Sequence, residues 1–120
     1  MALDLLMEKF NNINFLYIED MGSFAEGTPV RKLLENVKLV EGAYPMNNYS
    51  DILRILLLYL YGGIYFDLDV ISIDGFEEQF PLNFAVAQES GTVNNAVLRF
   101  SKKHSFLWFI MDEIVSNILI

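Results

Sequence analysis

Cysteine is absent from the 120 residues, which excludes zinc fingers, thiol nucleophiles and disulfide scaffolds from this chain. Histidine occurs once, as His104, so a multi-histidine metal centre is excluded too. Positive charge is scarce: 8 Lys and Arg stand against 16 Asp and Glu, a net charge of −8. Affinity for nucleic acid comes largely from cations that neutralise phosphates, and this balance argues against such a partner. An anionic ligand would need help, and a divalent cation, whose charge can reverse the sign of a site, could supply it. No run reaches the roughly 18 apolar residues of a membrane span; the nearest, residues 52–66, contains Arg54 and a glycine pair. Asp4, Glu8 and Lys9 interrupt the first apolar run, unlike the core of a signal peptide. The missing disulfides lean only weakly toward a reducing compartment.

What is present is mostly apolar. Hydrophobic residues make up 53% and the mean hydropathy is +0.32, enough for one modest core, with no length requirement for a second domain. Residues 1–120 are therefore read as a single domain. So high a hydropathy fits a core segment of a longer protein as well as a simply hydrophobic domain.

Periodicity divides this domain into alternating helices and strands. Leu3, Leu6, Met7 and Phe10 recur at helical spacing and predict a short helix over residues 2–10. Residues 13–18 (INFLYI) are β-formers bounded by polar residues and predict a buried strand. Thr28 and Pro29 suit the N-cap and first position of a short helix through Leu34, and residues 37–40 a small strand. Ser50 is a good N-cap for a helix carrying Ile52, Ile55, Leu56 and Tyr59, which Gly62 and Gly63 would stop. A strand from Ile64 would place Tyr65, Asp67 and Asp69 on one face, since successive side chains alternate. An acidic loop over 71–80, with Glu77 and Glu78 as a solvated patch, leads to strands at 83–88 and 93–100. Ser105 caps a last helix with Phe106, Phe109, Ile110, Ile114 and Ile118 on one stripe. The class is α/β.

Asp67 and Asp69 bring two hard oxygen donors together, as Mg²⁺ or Mn²⁺ prefers when it takes the rest of its shell from water and phosphate. Acidic pairs at strand ends are also ordinary solvated turn residues, so a lone D-x-D is weak evidence. Asp51 and Arg54 lie on one helical face. They offer an acceptor for sugar hydroxyls and a planar fork for phosphate, or else a surface ion pair worth a few tenths of a kcal/mol. Gly62 and Gly63 either cap the helix or admit a ligand closely. Asn94 and Asn95 are turn formers or hydroxyl contacts. His104 has no partner in sight and reads as a residue at a helix start or on the surface; Trp108 reads as core.

Taken together, Ser50-Asp51, Arg54, Tyr61-Gly62-Gly63-Ile64-Tyr65 and Asp67-x-Asp69 resemble the signature of the DXD-containing sugar transferases, in particular the animal α1,4-galactosyltransferase and α1,4-N-acetylglucosaminyltransferase group. Large clostridial glucosylating toxins carry a similar block. The likeness continues through Asn12 to Asp20 with Phe24, Gly27, Thr28 and Pro29, and through Asn94-Asn95-Ala96 with Phe100 and His104. It implies a GT-A-type fold, of which these residues would form the central part, a UDP-sugar donor, and Mn²⁺ (or Mg²⁺) as cofactor. It also implies retaining transfer of a sugar, galactose or N-acetylglucosamine, to a glycolipid or glycan acceptor on the lumenal side of the Golgi membrane.

By the same resemblance Asp69 would be the principal metal ligand, with Asp67 binding ribose and assisting. Asp51 and Arg54 would hold the donor sugar and its phosphate, Tyr65 would shape the nucleotide site, and Gly62, Gly63, Asn94 and Asn95 are candidate substrate contacts. A metal on the diphosphate would neutralise charge on the departing UDP. No carboxylate is assigned as nucleophile. The sequon at Asn48-Tyr49-Ser50 reads as a chance match, because a glycan would crowd Asp51. Relatives add an upstream nucleotide-binding strand, a downstream acceptor segment and an N-terminal anchor. The expectation is thus an internal piece that alone binds donor poorly and catalyses little; the alternative is an inactive remnant serving as a structural or interaction module.

Overall fold

The computed structural model describes residues 3–36, 45–75, 81–87 and 90–118. In order, the elements are α1 (Leu3–Lys9), α2 (Met21–Phe24), α3 (Arg31–Glu35), α4 (Pro45–Tyr61), β1 (Gly63–Phe66), β2 (Phe84–Ala87), β3 (Val93–Phe100) and α5 (Ser105–Ile118). Helix and strand are mixed as the periodicity predicts. The three strands form one sheet in the order β1-β3-β2, and both pairings are antiparallel. Gly63 lies opposite Phe100 and Phe66 opposite Val97. The β2–β3 register shifts between Ala85 and Val86.

The core lies where α4, β3 and α5 meet, with the α2–α3 turn joined to it. Ile52, Ile55, Leu56 and Leu58 on α4 are buried with Leu98 and Phe100 on β3 and Leu107 and Met111 on α5. Ala25, Val30, Leu33 and Leu34 complete the cluster. Each fully buried leucine contributes about 1.5–3 kcal/mol by leaving water. Asp20 holds the α2 end: its carboxylate accepts from the Gly22 and Ser23 amides at 3.0 and 3.4 Å, using donors that the first turn of a helix leaves unpaired.

α4 starts at Pro45, so Ser50 lies inside the helix and is not its cap; its Oγ accepts from Arg54 Nη2 at 3.4 Å instead. The other end closes as the glycines predict. Gly62 has φ +69 and donates its amide to the Leu58 carbonyl at 2.7 Å. A Cβ on Gly62 would stand 2.7 Å from the Lys102 amide nitrogen, so this glycine admits the β3–α5 connection. There Lys103, at φ +61, donates its amide to Tyr59 O at 2.8 Å and places its ammonium 4.6 Å from the Tyr59 ring centroid.

Several expectations change. Residues 13–18 form no strand, and Ile13, Phe15, Leu16 and Tyr17 are exposed, Tyr17 by 85%; a strand needs a neighbour for its main-chain groups, and no described strand pairs with this run. α3 begins at Arg31, because Thr28 turns its hydroxyl back to Ala25 O at 2.6 Å and so closes the preceding turn. Ser105 is the first residue of α5, and the cap is His104, whose Nδ1 accepts the Phe106 N–H at 3.1 Å. That fits the reading of His104 as a helix-start residue. Trp108 is 37% exposed and packs at the core's margin against Tyr59. The strand expected at 37–40, the patch at 76–80 and the last residue of the 83–88 strand lie outside the described residues.

Candidate functional site

Three segments converge at the end of β1. One turn of α4 places Asp51 and Arg54 on the same face, β1 delivers Tyr65 and Asp67, and β3 brings Asn95 across from the other side. Asp67 follows the strand's last residue, and its amide donates to Ala96 O at 2.9 Å. The chain then turns, with the Val70 amide on Asp67 O at 3.0 Å. β1 therefore stops at Phe66, and Leu68 and Asp69 belong to a turn. Strand alternation ends before Asp69, so the shared strand face expected for the two carboxylates is not formed.

Arg54 sits at the centre and is 8% exposed. Its Nη1 is 3.1 Å from Asp67 Oδ1 and donates to Asn95 O at 2.9 Å; its Nη2 is 3.1 Å from Asp51 Oδ1. The guanidinium carbon lies 4.6 Å from the Tyr65 ring centroid, close enough for cation–π attraction. Nε is buried and has no hydrogen-bond partner among the described residues. Around this hub, Tyr65 donates its hydroxyl to Asp67 Oδ1 at 2.8 Å, and Asn95 Nδ2 donates to Asp51 Oδ1 at 3.1 Å. Burial raises the Tyr65 phenol above its ordinary pKa, and the hydrogen bond to Asp67 adds to this because only the neutral phenol can donate it.

The structure thus gathers Asp51, Arg54, Tyr65, Asp67 and Asn95. Asp69 is exposed in its turn and has no hydrogen-bond or ion-pair partner among the described residues. Asn94 spends its Oδ1 on the Ala96 amide at 2.7 Å, and Gly62 spends its missing side chain on Lys102. Gly63, at φ +105, has open space beside it. The pairing of Arg54 with the Asn95 carbonyl, 41 residues away, leaves no trace in the sequence. The Ser50–Arg54 spacing did hint at their contact, since residues four apart are helical neighbours.

Among the described residues no three acidic or histidine side chains gather into a metal cluster. The donor set still fits a hard cation that draws most of its shell from water and phosphate. Both contacts to Asp67 go to Oδ1, leaving Oδ2 for a ligand, and Asp69 is uncommitted. A cleft of about 280 Å³ opens here, lined by Phe66, Asp67, Leu68, Val70 and Ser72. On the other side of Asp51 a cavity of about 290 Å³ runs between β3 and α5, apolar except for Asp51 and Asn95.

A family model described as "Glycosyltransferase sugar-binding region containing DXD motif" matches residues 3–90. The human alpha-1,4-N-acetylglucosaminyltransferase is 34% identical over 103 residues, covering 86% of this chain and 29% of that protein. The mouse lactosylceramide 4-alpha-galactosyltransferase is 31% identical over 98 residues, 82% of this chain and 27% of that protein. Its human counterpart is 28% identical over 112 residues, 93% of this chain and 31% of that protein. The chain spans about three tenths of the length of these relatives. No solved structure matches it.

Proposed function

The chain belongs to the family of glycosyltransferases whose sugar-binding region contains a DXD motif, and we propose on that premise that it is the donor-binding part of a retaining, UDP-sugar-dependent transferase with a GT-A-type fold. The sugar is galactose in the first place, and the acceptor a glycolipid or glycan; the Golgi setting belongs to the same proposal. The observation that carries it is the convergence of Asp51, Arg54, Tyr65, Asp67 and Asn95 from three segments into one bonded cluster, with Asp67 lining one cleft and Asp51 and Asn95 lining a second cavity. An ion pair serving stability alone has no need of five polar groups drawn from helix and sheet.

In this reading Asp69, with Asp67 Oδ2, holds the divalent cation. When bound, that ion supplies Lewis-acid stabilisation of the leaving diphosphate. Asp51 and Asn95 face sugar hydroxyls, Tyr65 borders the nucleotide, Asp67 also meets ribose, and the Arg54 charge offsets the acids at the base of the site. Gly63, with open space beside it, lets the ligand approach the main chain.

Calorimetric titration with UDP and Mn²⁺ tests this. Binding that requires Mn²⁺ and is lost in Asp69→Ala is the expected result; binding left intact by that substitution would sink the assignment. A second reading, a non-catalytic interaction module, is favoured by one observation: Arg54 is committed to partners within the chain. Absence of UDP binding even in a chain extended at both ends would select it.

A further inference from the structure

We propose that the cavity between β3 and α5 is a specificity subsite for the donor sugar, and that it takes an acetamido substituent in preference to a hydroxyl. The proposal deepens the donor-site reading above and rests on it for the nucleotide part of the ligand. Asp51 and Asn95 belong to two neighbourhoods at once. Asn95 Nδ2 donates to Asp51 Oδ1 at 3.1 Å, which ties both into the polar cluster, and the same two residues line the cavity of about 290 Å³. Every other described residue that lines it is apolar, Ala85, Val93, Leu98, Ile110 and Ile114 among them. The sheet builds this mixture by breaking its own alternation. Ala85 pairs with Leu98 but the next residue, Val86, pairs with Asn94, so residues 95–97 of β3 have no partner on β2. In an unbroken strand Val93 and Asn95 would face away from Leu98 and Phe100; a bulge re-aims side chains and brings all four to one cavity.

The chemistry of that lining selects its occupant. A hydroxyl placed against apolar walls gives up its water and finds no partner there. An acetamido group matches the lining part by part: its N–H can donate to the Asp51 carboxylate, its carbonyl can accept from the Asn95 amide, and its methyl carries no polar atom to leave unpaired. Both polar residues are accessible for this, the Asp51 side chain by 48%. Size points the same way. Pockets for whole small molecules run from about 300 to 1,000 Å³, so a space of about 290 Å³ suits a sugar substituent and not an entire nucleotide sugar, whose diphosphate stays with the cleft at Asp67. The walls belong to the packed scaffold: Leu98 and Phe100 are in the core, and Ile110 and Ile114 pack against it.

Calorimetry with Mn²⁺ compares donors that differ only in the acetamido group: UDP-N-acetylgalactosamine against UDP-galactose, and UDP-N-acetylglucosamine against UDP-glucose. Only the ratio within a pair is read, so weak overall binding does not hide the effect. In the pair that binds more tightly, the acetamido donor is expected to bind about 10-fold better than its partner, the low end of what one added apolar group contributes in a fitted pocket. Val93→Phe narrows the cavity at a position that is 71% exposed and outside the core, and it should bring the ratio close to one. A wild-type ratio of one or below, or a ratio untouched by Val93→Phe, would overturn the proposal.

A second measurement needs no nucleotide. Protein with ¹³C-labelled methyl groups is titrated with the methyl glycosides of the same sugars and followed by NMR. The Val93, Ile110 and Ile114 methyl signals are expected to move with an acetamido sugar and to stay in place with the matching hexose. Signals that move with neither would overturn the subsite whether or not UDP binds. Movement with an alkyl galactoside but not with an acetamido sugar would give the cavity to an apolar part of the acceptor and overturn the proposal equally. If UDP fails to bind while the acetamido sugar alone moves these methyls, the donor reading fails and the subsite stands.

Discussion

Residues 52–58, all leucine or isoleucine except Arg54, and residues 3–17, more than half of them leucine, isoleucine, methionine or aromatic, are both apolar stretches, yet they end in opposite environments. On α4, Ile52, Ile55, Leu56 and Leu58 are all buried, because β3 and α5 lie against them. α1 buries no residue, and Leu3, Leu5, Met7 and Phe10 are exposed along with Phe15, Leu16 and Tyr17. A helical or strand-like apolar pattern states that a face favours burial; it does not supply the surface that buries it. In this molecule the residues that gather at the candidate site are carried by α4 and β3, which found such a surface, and by β1 and the residue that follows it.

The largest expected contrast is between leucines. Leu56→Ala, at a fully buried position, should cost about 2–5 kcal/mol in urea unfolding. Leu5→Ala, at a position 65% exposed, should change stability by no more than about 0.5 kcal/mol. Equal losses would mean that α1 is packed in solution and would break the comparison. Next comes Gly62→Ala, which forces a side chain into left-handed backbone and against the Lys102 main chain; a loss of more than about 1 kcal/mol is expected. A neutral result would show that α4 and the β3–α5 connection can part without consequence.

The smallest effect is at Asp20, which marks where the exposed stretch gives way to the first buried turn. Its hydrogen bonds, first to the Ser23 side chain and then to main-chain amides, hold its carboxyl below the ordinary value of 3.8. A depressed carboxyl contributes stability that is present above that ordinary value and is lost as pH falls through the lower folded value. Asp20→Asn should therefore flatten the acid limb of the thermal-unfolding profile slightly. An unchanged limb would indicate that the α2 cap is not formed in solution.

Much of the fold was legible because local chemistry and packing agree over the second half of the chain. Helical periodicity plus Gly62 located the end of α4, and β-rich runs located β2 and β3. The start of α4 was misplaced because Ser50 satisfies a cap preference at a position where the helix is already under way. The strand carrying the acids was drawn too long for a related reason. Alternation of apolar and polar residues from Ile64 to Asp69 suits a strand, but the ladder ends at the Phe66–Val97 pair, and beyond it nothing enforces extended backbone. The motif acids and their arginine were legible as residue types. Their mutual geometry was not, since the Asn95 groups that complete it come from 41 and 44 residues further along.

That separation bears on the order of events during synthesis and folding. A chain ending before β3 would already contain Asp51, Arg54, Tyr65 and Asp67, but neither the carbonyl that takes up one end of the guanidinium nor the amide that steadies Asp51. Closing the intervening loop carries an entropic cost that grows only slowly with its length, and it is offset when β3 pairs with β1. The contacts among Asp51, Arg54, Tyr65 and Asp67 lie within one short stretch, but the site is complete only with Asn95 in place. It comes into being with the sheet, and each local opening of β3 would take it apart.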